Sequence, residues 1–313
     1  MKKSVTRRLA LVLIAASVTG CTTTKPSLLN KLGFHKNQAD VPAPAVDDVL
    51  DGTDYEQSLE TFTAREAELA KGDTFMEKND YDTAIACYSE VIKLDPKAAD
   101  GFLKRGIAFS KKGLTEFAIN DFSFAIKLDS NNVEALIERG QSLERTGKTE
   151  FAIADYSEAI RIEPSTAQAY SLRGEAYFSS GNMELTIANY TDALRYDSES
   201  AEMYFKRGIA QHNQGKFENA FNDYTQAIRL DANLVQAYVN RGDLGIHTKA
   251  YDQAVADYSH AIEINPELGI AYYNRGMANR KLGNHEAAIA DYNEAKRLQA
   301  VNSPNVTTAS FNR

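Results

Sequence analysis

Residues 133–166 read VEALIERGQSLERTGKTEFAIADYSEAIRIEPST, and this stretch of 34 residues decides the fold. Its eighth residue, Gly140, has counterparts at the same spacing along most of the chain. The glycines that follow the 34-residue spacing are Gly72, Gly106, Gly140, Gly174, Gly208, Gly242 and Gly276. A period of this size is typical of a solenoid, in which stacked helical pairs bury an apolar face that no single pair could bury alone.

Four positions of the repeated unit carry residues that suit closely packed helices. The seven units start at residues 65, 99, 133, 167, 201, 235 and 269, so that position 8 is always glycine. Positions 20 and 27 hold alanine in every unit, except for Thr186 and Val91. Position 24 is always aromatic, at Tyr88, Phe122, Tyr156, Tyr190, Tyr224, Tyr258 and Tyr292. Small residues let two helices approach closely, and the aromatic ring fills the space beside them.

Position 15 predicts where the first helix of each unit ends. Five units have glycine there, at Gly113, Gly147, Gly181, Gly215 and Gly283. Glycine is the usual residue for the left-handed conformation that closes a helix, and asparagine, here Asn79, tolerates it. Lys249 fits this conformation poorly, so we expect an altered turn in the sixth unit.

The pattern resembles the tetratricopeptide repeat family, whose 34-residue signature combines large, glycine, aromatic and alanine positions with a closing proline. The closing proline is present at Pro96, Pro164 and Pro266 and is replaced in the other four units. The resemblance implies an all-α fold, a superhelical solenoid of seven helix-turn-helix repeats over residues 65–302. It also implies that the first helix of each repeat lines a concave groove.

Positions 7 and 23 carry opposite charges in most units. Position 7 is arginine in six units and Lys71 in the first, while position 23 is Asp or Asn in six units and Cys87 in the first. Because both positions change together in the first unit, we predict arginine–carboxylate pairs between the two helices of a unit. A catalytic or phosphate site would be local and not repeated, so the pairs are interpreted as structural.

The N-terminus has the order of features found in an export signal. Residues 1–20 contain four basic residues followed by an apolar run from Leu9 to Val18, which is too short to span a bilayer permanently. Val-Thr-Gly-Cys, ending at Cys21, resembles the bacterial lipobox, in which the cysteine is acylated, with palmitate among the usual chains. A plain signal peptide with a chance cysteine is the alternative. By the same analogy, Thr22 after the cysteine favours the outer membrane, facing the periplasm.

The segments that flank the repeats have no helical period of comparable strength. Residues 21–50 are predicted to be a flexible tether, residues 51–64 a lead-in helix, and residues 303–313 a disordered tail. Removal of residues 1–20, with four positive and no negative charges, changes the net charge from −8 to −12. Such acidity disfavours nucleic acid and anionic lipid surfaces as partners.

The sequence contains none of the usual catalytic or phosphate-binding motifs, and no cofactor is expected. Cys87 is predicted to be a small buried core residue, and a reactive thiol is the weaker alternative. His212 and His247 occupy positions 12 and 13 of adjacent units, so a metal site between them is conceivable. No carboxylate–histidine cluster supports it, and the chain is not predicted to be an enzyme.

The family's groove positions on the first helix of each repeat supply the candidate partner-binding residues. The groove candidates are Asp73, Asp100, Ile107, Glu134, Glu144, Glu175, Phe178, Phe205, Ile209, His212, Asp243, His247, Tyr273, Arg280 and Lys281. The charged candidates are acidic in the early units and basic at the end of the first helix of the last unit. This distribution favours an extended or helical peptide with basic residues at one end. The alternative is that these residues are merely solvated.

Three functional hypotheses follow. The first is a non-enzymatic, membrane-tethered scaffold that binds other envelope proteins, similar in architecture to new-lipoprotein-I type scaffolds. The second is a pilotin-like assembly factor for a pilus or secretion component. The third, from a different class, is a metal-binding or enzymatic protein that uses the two histidines. The polar tail would leave the last helical pair uncovered, so a partner or a second copy in a homodimer could cover it.

Overall fold

The computed structural model describes residues 52–302, with side chains described for residues 60–299, and this part of the chain is entirely helical. Its helices are α1 (Gly52–Glu77), α2 (Tyr81–Leu94), α3 (Ala99–Lys111), α4 (Thr115–Leu128), α5 (Val133–Arg145), α6 (Thr149–Ile162), α7 (Ala167–Ser179), α8 (Met183–Tyr196), α9 (Ala201–Asn213), α10 (Phe217–Leu230), α11 (Val235–His247), α12 (Tyr251–Ile264), α13 (Gly269–Leu282) and α14 (His285–Asn302). The predicted signal segment, Cys21, the tether and the tail lie outside the described residues.

The helices pack in consecutive pairs, one pair for each 34-residue unit. Odd-numbered helices are the first helix of a unit, called helix A, and even-numbered helices are the second, called helix B. Each helix B also packs against helix A of the next unit, which confirms the predicted tetratricopeptide-type solenoid. Helix α1 begins at Gly52 and continues without a break into the first unit, so the lead-in segment and the first helix A are one helix. Within residues 52–302, no helix is both long and apolar enough to cross a membrane.

Contact between position 8 and position 24 sets the distance between the two helices of a unit. A Cβ added at Gly140 would lie 2.5 Å from Cε1 of Tyr156, much closer than two carbon atoms can pack. Tyr156 has no exposed surface, and the alanines at positions 20 and 27 of its unit, Ala152 and Ala159, are equally buried. Helices A and B of this unit therefore approach because glycine faces the ring, as the sequence predicts.

The turn after helix A uses the left-handed conformation in all seven units. Position 15 has a φ of 76° at Gly147 and 58° at Asn79, and the other glycines at this position are similar. Lys249 has a φ of 63°, so the sixth unit keeps the left-handed conformation. The turn is nevertheless altered, as predicted, because the amide of Ala250 does not donate to the carbonyl of Gly245, whereas the equivalent hydrogen bond closes the turn in the other six units. The side chain of Lys249 is exposed. The packing of α11 and α12 therefore imposes the left-handed conformation, at a cost in local backbone strain.

The predicted arginine–carboxylate pairs are present, and each arginine also contacts the preceding unit. Arg139 donates from Nε and Nη2 to the two carboxylate oxygens of Asp155, at 2.8 and 2.7 Å. Its Nη1 donates to Oγ of Ser123 in the preceding unit, at 3.1 Å. The arginines with equivalent contacts are Arg105, Arg207, Arg241 and Arg275, whereas Arg173 donates to the amide oxygen of Asn189 in place of a carboxylate and also contacts the preceding unit. Each of these six side chains therefore connects three helices, which supports the structural interpretation.

Candidate binding groove

The A helices of successive units lie side by side and share one face of the solenoid. Positions 2, 5, 6, 9, 12 and 13 of these helices are called the groove face here. Contacts across this face join neighbouring A helices, as when Nη2 of Arg145 on α5 donates to Oγ of Ser110 on α3 at 2.6 Å. Arg65 on α1 likewise pairs with the carboxylate of Asp100 on α3.

At three junctions between units, the groove face is closed by internal polar contacts. Asp73 of the first unit accepts from the hydroxyl of Tyr88 and from Nζ of Lys104 in the second, each at 2.7 Å. Asp243 of the sixth unit accepts from the hydroxyl of Tyr258 and from Nδ2 of Asn274 in the seventh, at 2.6 and 2.9 Å. In the same way, Glu175 of the fourth unit pairs with Lys206 of the fifth. At each closed junction, position 9 supplies the acceptor and position 6 of the next unit supplies the donor.

The junctions between the second, third and fourth units lack this arrangement, and an open depression of about 580 Å³ lies there. Position 9 is Ile107 in the second unit and Gln141 in the third, while position 6 of the following units is Glu138 and Leu172. The depression is lined by Ser110, Lys111, Glu138, Gln141, Glu144, Arg145, Leu172, Glu175 and Ser179. It therefore combines carboxylates, cations and an apolar wall within one site.

Two carboxylates of the depression are poorly solvated. Oε2 of Glu144 accepts from the hydroxyl of Tyr156 at 2.7 Å, and burial raises the pKa of Glu144 despite this hydrogen bond. Burial also raises the pKa of Glu138, as does the nearby charge of Glu134, while Lys111 and Arg145 act in the opposite direction. Among the described side chains, none forms an ion pair or a hydrogen bond with Glu138. Glu138 is thus a half-buried carboxylate without an internal partner.

The fifth and sixth units present a more apolar part of the groove face. Phe205 and Ile209 pack against Tyr224, and the rings of Phe205 and Tyr224 lie 6.0 Å apart. The ring of Phe217 contacts both His212, at 5.7 Å, and His247, at 4.3 Å, between ring centres. The two histidines therefore share an aromatic neighbour, and within residues 60–299 no group of three or more metal-ligating residues is present.

The remaining groove candidates are on the groove face and solvent-accessible. Glu134 is exposed, and Phe178 is 36% exposed. Tyr273 packs on the ring of Tyr292 at 5.6 Å but remains 40% exposed. Arg280 and Lys281 are exposed at the end of α13. The structure therefore places these residues along one face, without gathering them all into one pocket.

Position 6 was not among the groove positions predicted from the sequence, although it contributes Glu138, Leu172 and Lys206. It lies four residues after position 2 and three before position 9, so helical periodicity alone places it on the same face. The predicted positions came from the family pattern, which did not include it.

Cys87 lies on α2 and is only 4% exposed. Burial raises the pKa of its thiol, which disfavours the reactive thiolate. The structure therefore supports the prediction that Cys87 is a small core residue.

The described residues thus define a solenoid of helical pairs whose A helices share a polar, partly open groove. Sequence models described as TPR repeat match residues 72–113, 145–181 and 174–215. Models described as tetratricopeptide repeat match residues 201–234, 235–268 and 269–299. These matches cover more than half of the chain, which therefore belongs to the tetratricopeptide repeat family. Proteins of this family are generally non-enzymatic scaffolds for protein–protein interaction.

Solved structures show the same fold at low sequence identity. The C-terminal part of a TPR repeat-containing protein from Cytophaga hutchinsonii is 16% identical, with a TM-score of 0.62, over 76% of this chain and 96% of that one. Pseudomonas aeruginosa pilF is 15% identical, with a TM-score of 0.58, over 66% and 94%. YrrB, described as a TPR protein with an unusual peptide-binding site, is 18% identical, with a TM-score of 0.53, over 59% and 95%. A search of curated proteins finds no match.

Proposed function

We propose that this chain is a non-enzymatic, membrane-tethered scaffold that binds peptide segments of other cell-envelope proteins in its groove. The observation that carries the proposal is the open depression between the second and fourth units, on a face that internal contacts close at three other junctions. YrrB, which has the same fold, is described as having a peptide-binding site. Side chains that are not committed to internal pairs remain available to a partner.

The charge of the groove face supports a partner with a basic segment. In units one to four, the groove face carries eight acidic and three basic residues. In units five to seven, it carries two acidic and three basic residues, with Arg280 and Lys281 at the far end. A peptide whose basic end lies on the early units therefore has the better electrostatic complementarity.

The N-terminal sequence supports attachment to a membrane. Acylation of Cys21 would hold the protein at a bilayer surface through lipid chains, without a spanning helix. Residues 22–50 would then separate the repeats from the membrane, and the outer membrane facing the periplasm is the location that we propose.

Membrane fractionation of the wild type and the Cys21→Ser variant, with the intact mass of the mature N-terminus, tests the attachment. We expect an acylated wild type in the membrane fraction and a variant that is lost from it. If both proteins are soluble and unacylated, the tethered form of the proposal is wrong and a free adaptor replaces it.

Site-specific photo-cross-linking in cells tests the groove. Gln141 lines the depression, so a photo-cross-linking residue in its place reports on the groove. The matched control places the same residue at Phe151, which is 67% exposed on helix B. We expect wall synthases or hydrolases to cross-link at Gln141 and not at Phe151. A secretin or pilus component at Gln141 would instead favour the pilotin-like assembly factor, and a second copy of the chain would indicate a homodimer. Cross-links confined to Phe151 would contradict binding in the groove.

A further inference from the structure

We propose that Glu138 binds the ammonium or guanidinium group of a lysine or arginine side chain from the peptide partner. This inference rests on the proposed function and adds the chemistry of one subsite. The side chain would enter the depression between α3, α5 and α7, with its aliphatic part against Leu172 and its charge at the Glu138 carboxylate.

The closed junctions show which chemical group this part of the groove accepts. Lys104 reaches Asp73 between the first two units, and Lys206 reaches Glu175 between the fourth and fifth. At these two of the three closed junctions, a cation from the chain itself neutralises a groove carboxylate, and at the third the amide of Asn274 donates to Asp243. Between the second and third units, position 6 carries the carboxylate of Glu138 and position 9 is the apolar Ile107. The carboxylate is therefore present, but position 9 of the preceding unit offers it no partner.

The surroundings of Glu138 favour a cation from outside over a water-solvated carboxylate. Its carboxylate is half-buried and close to the acidic Glu134, so its negative charge is poorly compensated. A charge-assisted hydrogen bond from an incoming donor would satisfy it. Glu144 offers a second acceptor in the same depression, with one oxygen held by Tyr156.

The two cations of the depression are not ion-pair partners of Glu138. Lys111 and Arg145 are both at position 13, which is seven residues, or roughly 10 Å along the helix axis, beyond position 6. Nη2 of Arg145 is held by the hydroxyls of Ser110 and Ser142, at 2.6 and 3.1 Å. The charges of Lys111 and Arg145 thus act on Glu138 across the depression, but neither forms an ion pair or a hydrogen bond with its carboxylate.

The test uses the full-length chain and a random-sequence peptide library displayed on phage. Selection on the wild type is expected to enrich one position in lysine or arginine. The selected peptide is then compared with a version in which norleucine replaces the basic residue, which removes the charge and keeps the aliphatic chain. For the wild type, we expect this replacement to weaken Kd about tenfold.

The Glu138→Gln variant completes a double-mutant cycle, with Glu134→Gln as the matched control. Glu134 lies on the same helix and is exposed, so both variants lose one negative charge at nearly the same place. We expect Glu138→Gln to bind both peptides about equally, and Glu134→Gln to keep the tenfold preference. A preference that survives in Glu138→Gln would overturn the assignment, and melting followed by circular dichroism checks that each variant is folded.

The selection itself separates this inference from the proposed function. If the wild type selects peptides without any basic position, the Glu138 subsite is wrong and groove binding stands. Two results would contradict both the proposed peptide binding in the groove and the Glu138 subsite. One is that the wild type selects no peptide. The other is that the selected peptides still bind after Gln141→Trp fills the depression.

Discussion

Replacement of Gly140 by alanine tests whether the contact between position 8 and the aromatic ring sets the packing of a unit. The new Cβ would lie 2.5 Å from Cε1 and 2.9 Å from Cζ of Tyr156. The ring cannot easily move away, because it is fully buried and its hydroxyl is bonded to Glu144. Overpacking of this kind costs about 1–3 kcal/mol, from which the better helix propensity of alanine recovers about 1 kcal/mol. Because an approach of 2.5 Å places the strain in the upper part of this range, at about 2–3 kcal/mol, we expect a net loss of about 1–2 kcal/mol in the free energy of unfolding.

Gly174 provides a control within the same chain. A Cβ at Gly174 would lie 3.3 Å from Cβ of Asn189 and 3.4 Å from the ring of Tyr190, which is tight but needs only a small shift. For Gly174→Ala, the helix propensity gain of about 1 kcal/mol should offset most or all of the strain. A leucine at Gly174 adds three more carbons, so Gly174→Leu is still expected to force the helices apart, at about 1–3 kcal/mol or more.

Urea unfolding followed by circular dichroism measures both alanine variants. We expect the Gly140→Ala midpoint to fall clearly below the wild type, and the Gly174→Ala midpoint to lie at or slightly above it. The corresponding loss in Tm for Gly140→Ala would be several degrees, at roughly 2–4 °C per kcal/mol for a domain of this size. Equal midpoints for the two variants would refute the link between Cβ distance and stability.

Three further changes test separate features. Asp257 is almost fully buried against Arg241, so Asp257→Ala should lower the free energy of unfolding by about 3–5 kcal/mol. A urea midpoint close to that of the wild type would contradict a stabilising pair. Lys249→Gly should raise the free energy of unfolding by about 0.5–1 kcal/mol, because the φ of 63° strains lysine more than the added freedom of unfolded glycine costs. Glu138 has a folded-state pKa above its usual value, so its ionised form destabilises the fold at neutral pH, and this penalty is lost as the pH falls through the folded-state pKa. Glu138→Gln should therefore raise Tm at pH 7 more than Glu134→Gln does, and this difference in Tm between the two variants should shrink towards pH 4. A difference in Tm that stays constant across this range would show that ionisation of Glu138 is not the cause.

The repeat pattern was sufficient to predict the fold because each helical pair is specified by contacts inside one unit. Gly140 and Tyr156 are sixteen residues apart and meet in the structure, and the spacing of such residues is visible in the sequence. Lys249 shows where this reasoning is only half right, because the turn loses its closing hydrogen bond but keeps the left-handed conformation. Its intrinsic preference opposes the left-handed turn, but the packing of α11 and α12 determines the outcome.

The groove was predicted less completely because its character depends on contacts between units. The pattern identified Asp73 and Asp243 as groove residues, but it did not show that Lys104 and Asn274 of the next units occupy them. Nor did it show that Glu138 lacks such a donor. These facts require the distance between neighbouring A helices, which no single 34-residue unit contains.

The six arginine contacts to the preceding unit have a consequence for the length of the array. Each of these arginines meets a serine or threonine hydroxyl at the same position of the unit before it. Deletion of residues 201–234 would bring Arg241 opposite Thr191 instead of Thr225, and the new junction would still have a hydroxyl acceptor. The arginine contacts that join one unit to the next are thus the same at every junction. The residues at positions 6 and 9, by contrast, differ from one groove junction to another. Gain or loss of a unit would therefore change the residues that the groove presents to a partner, while the contacts that stack the units would be kept.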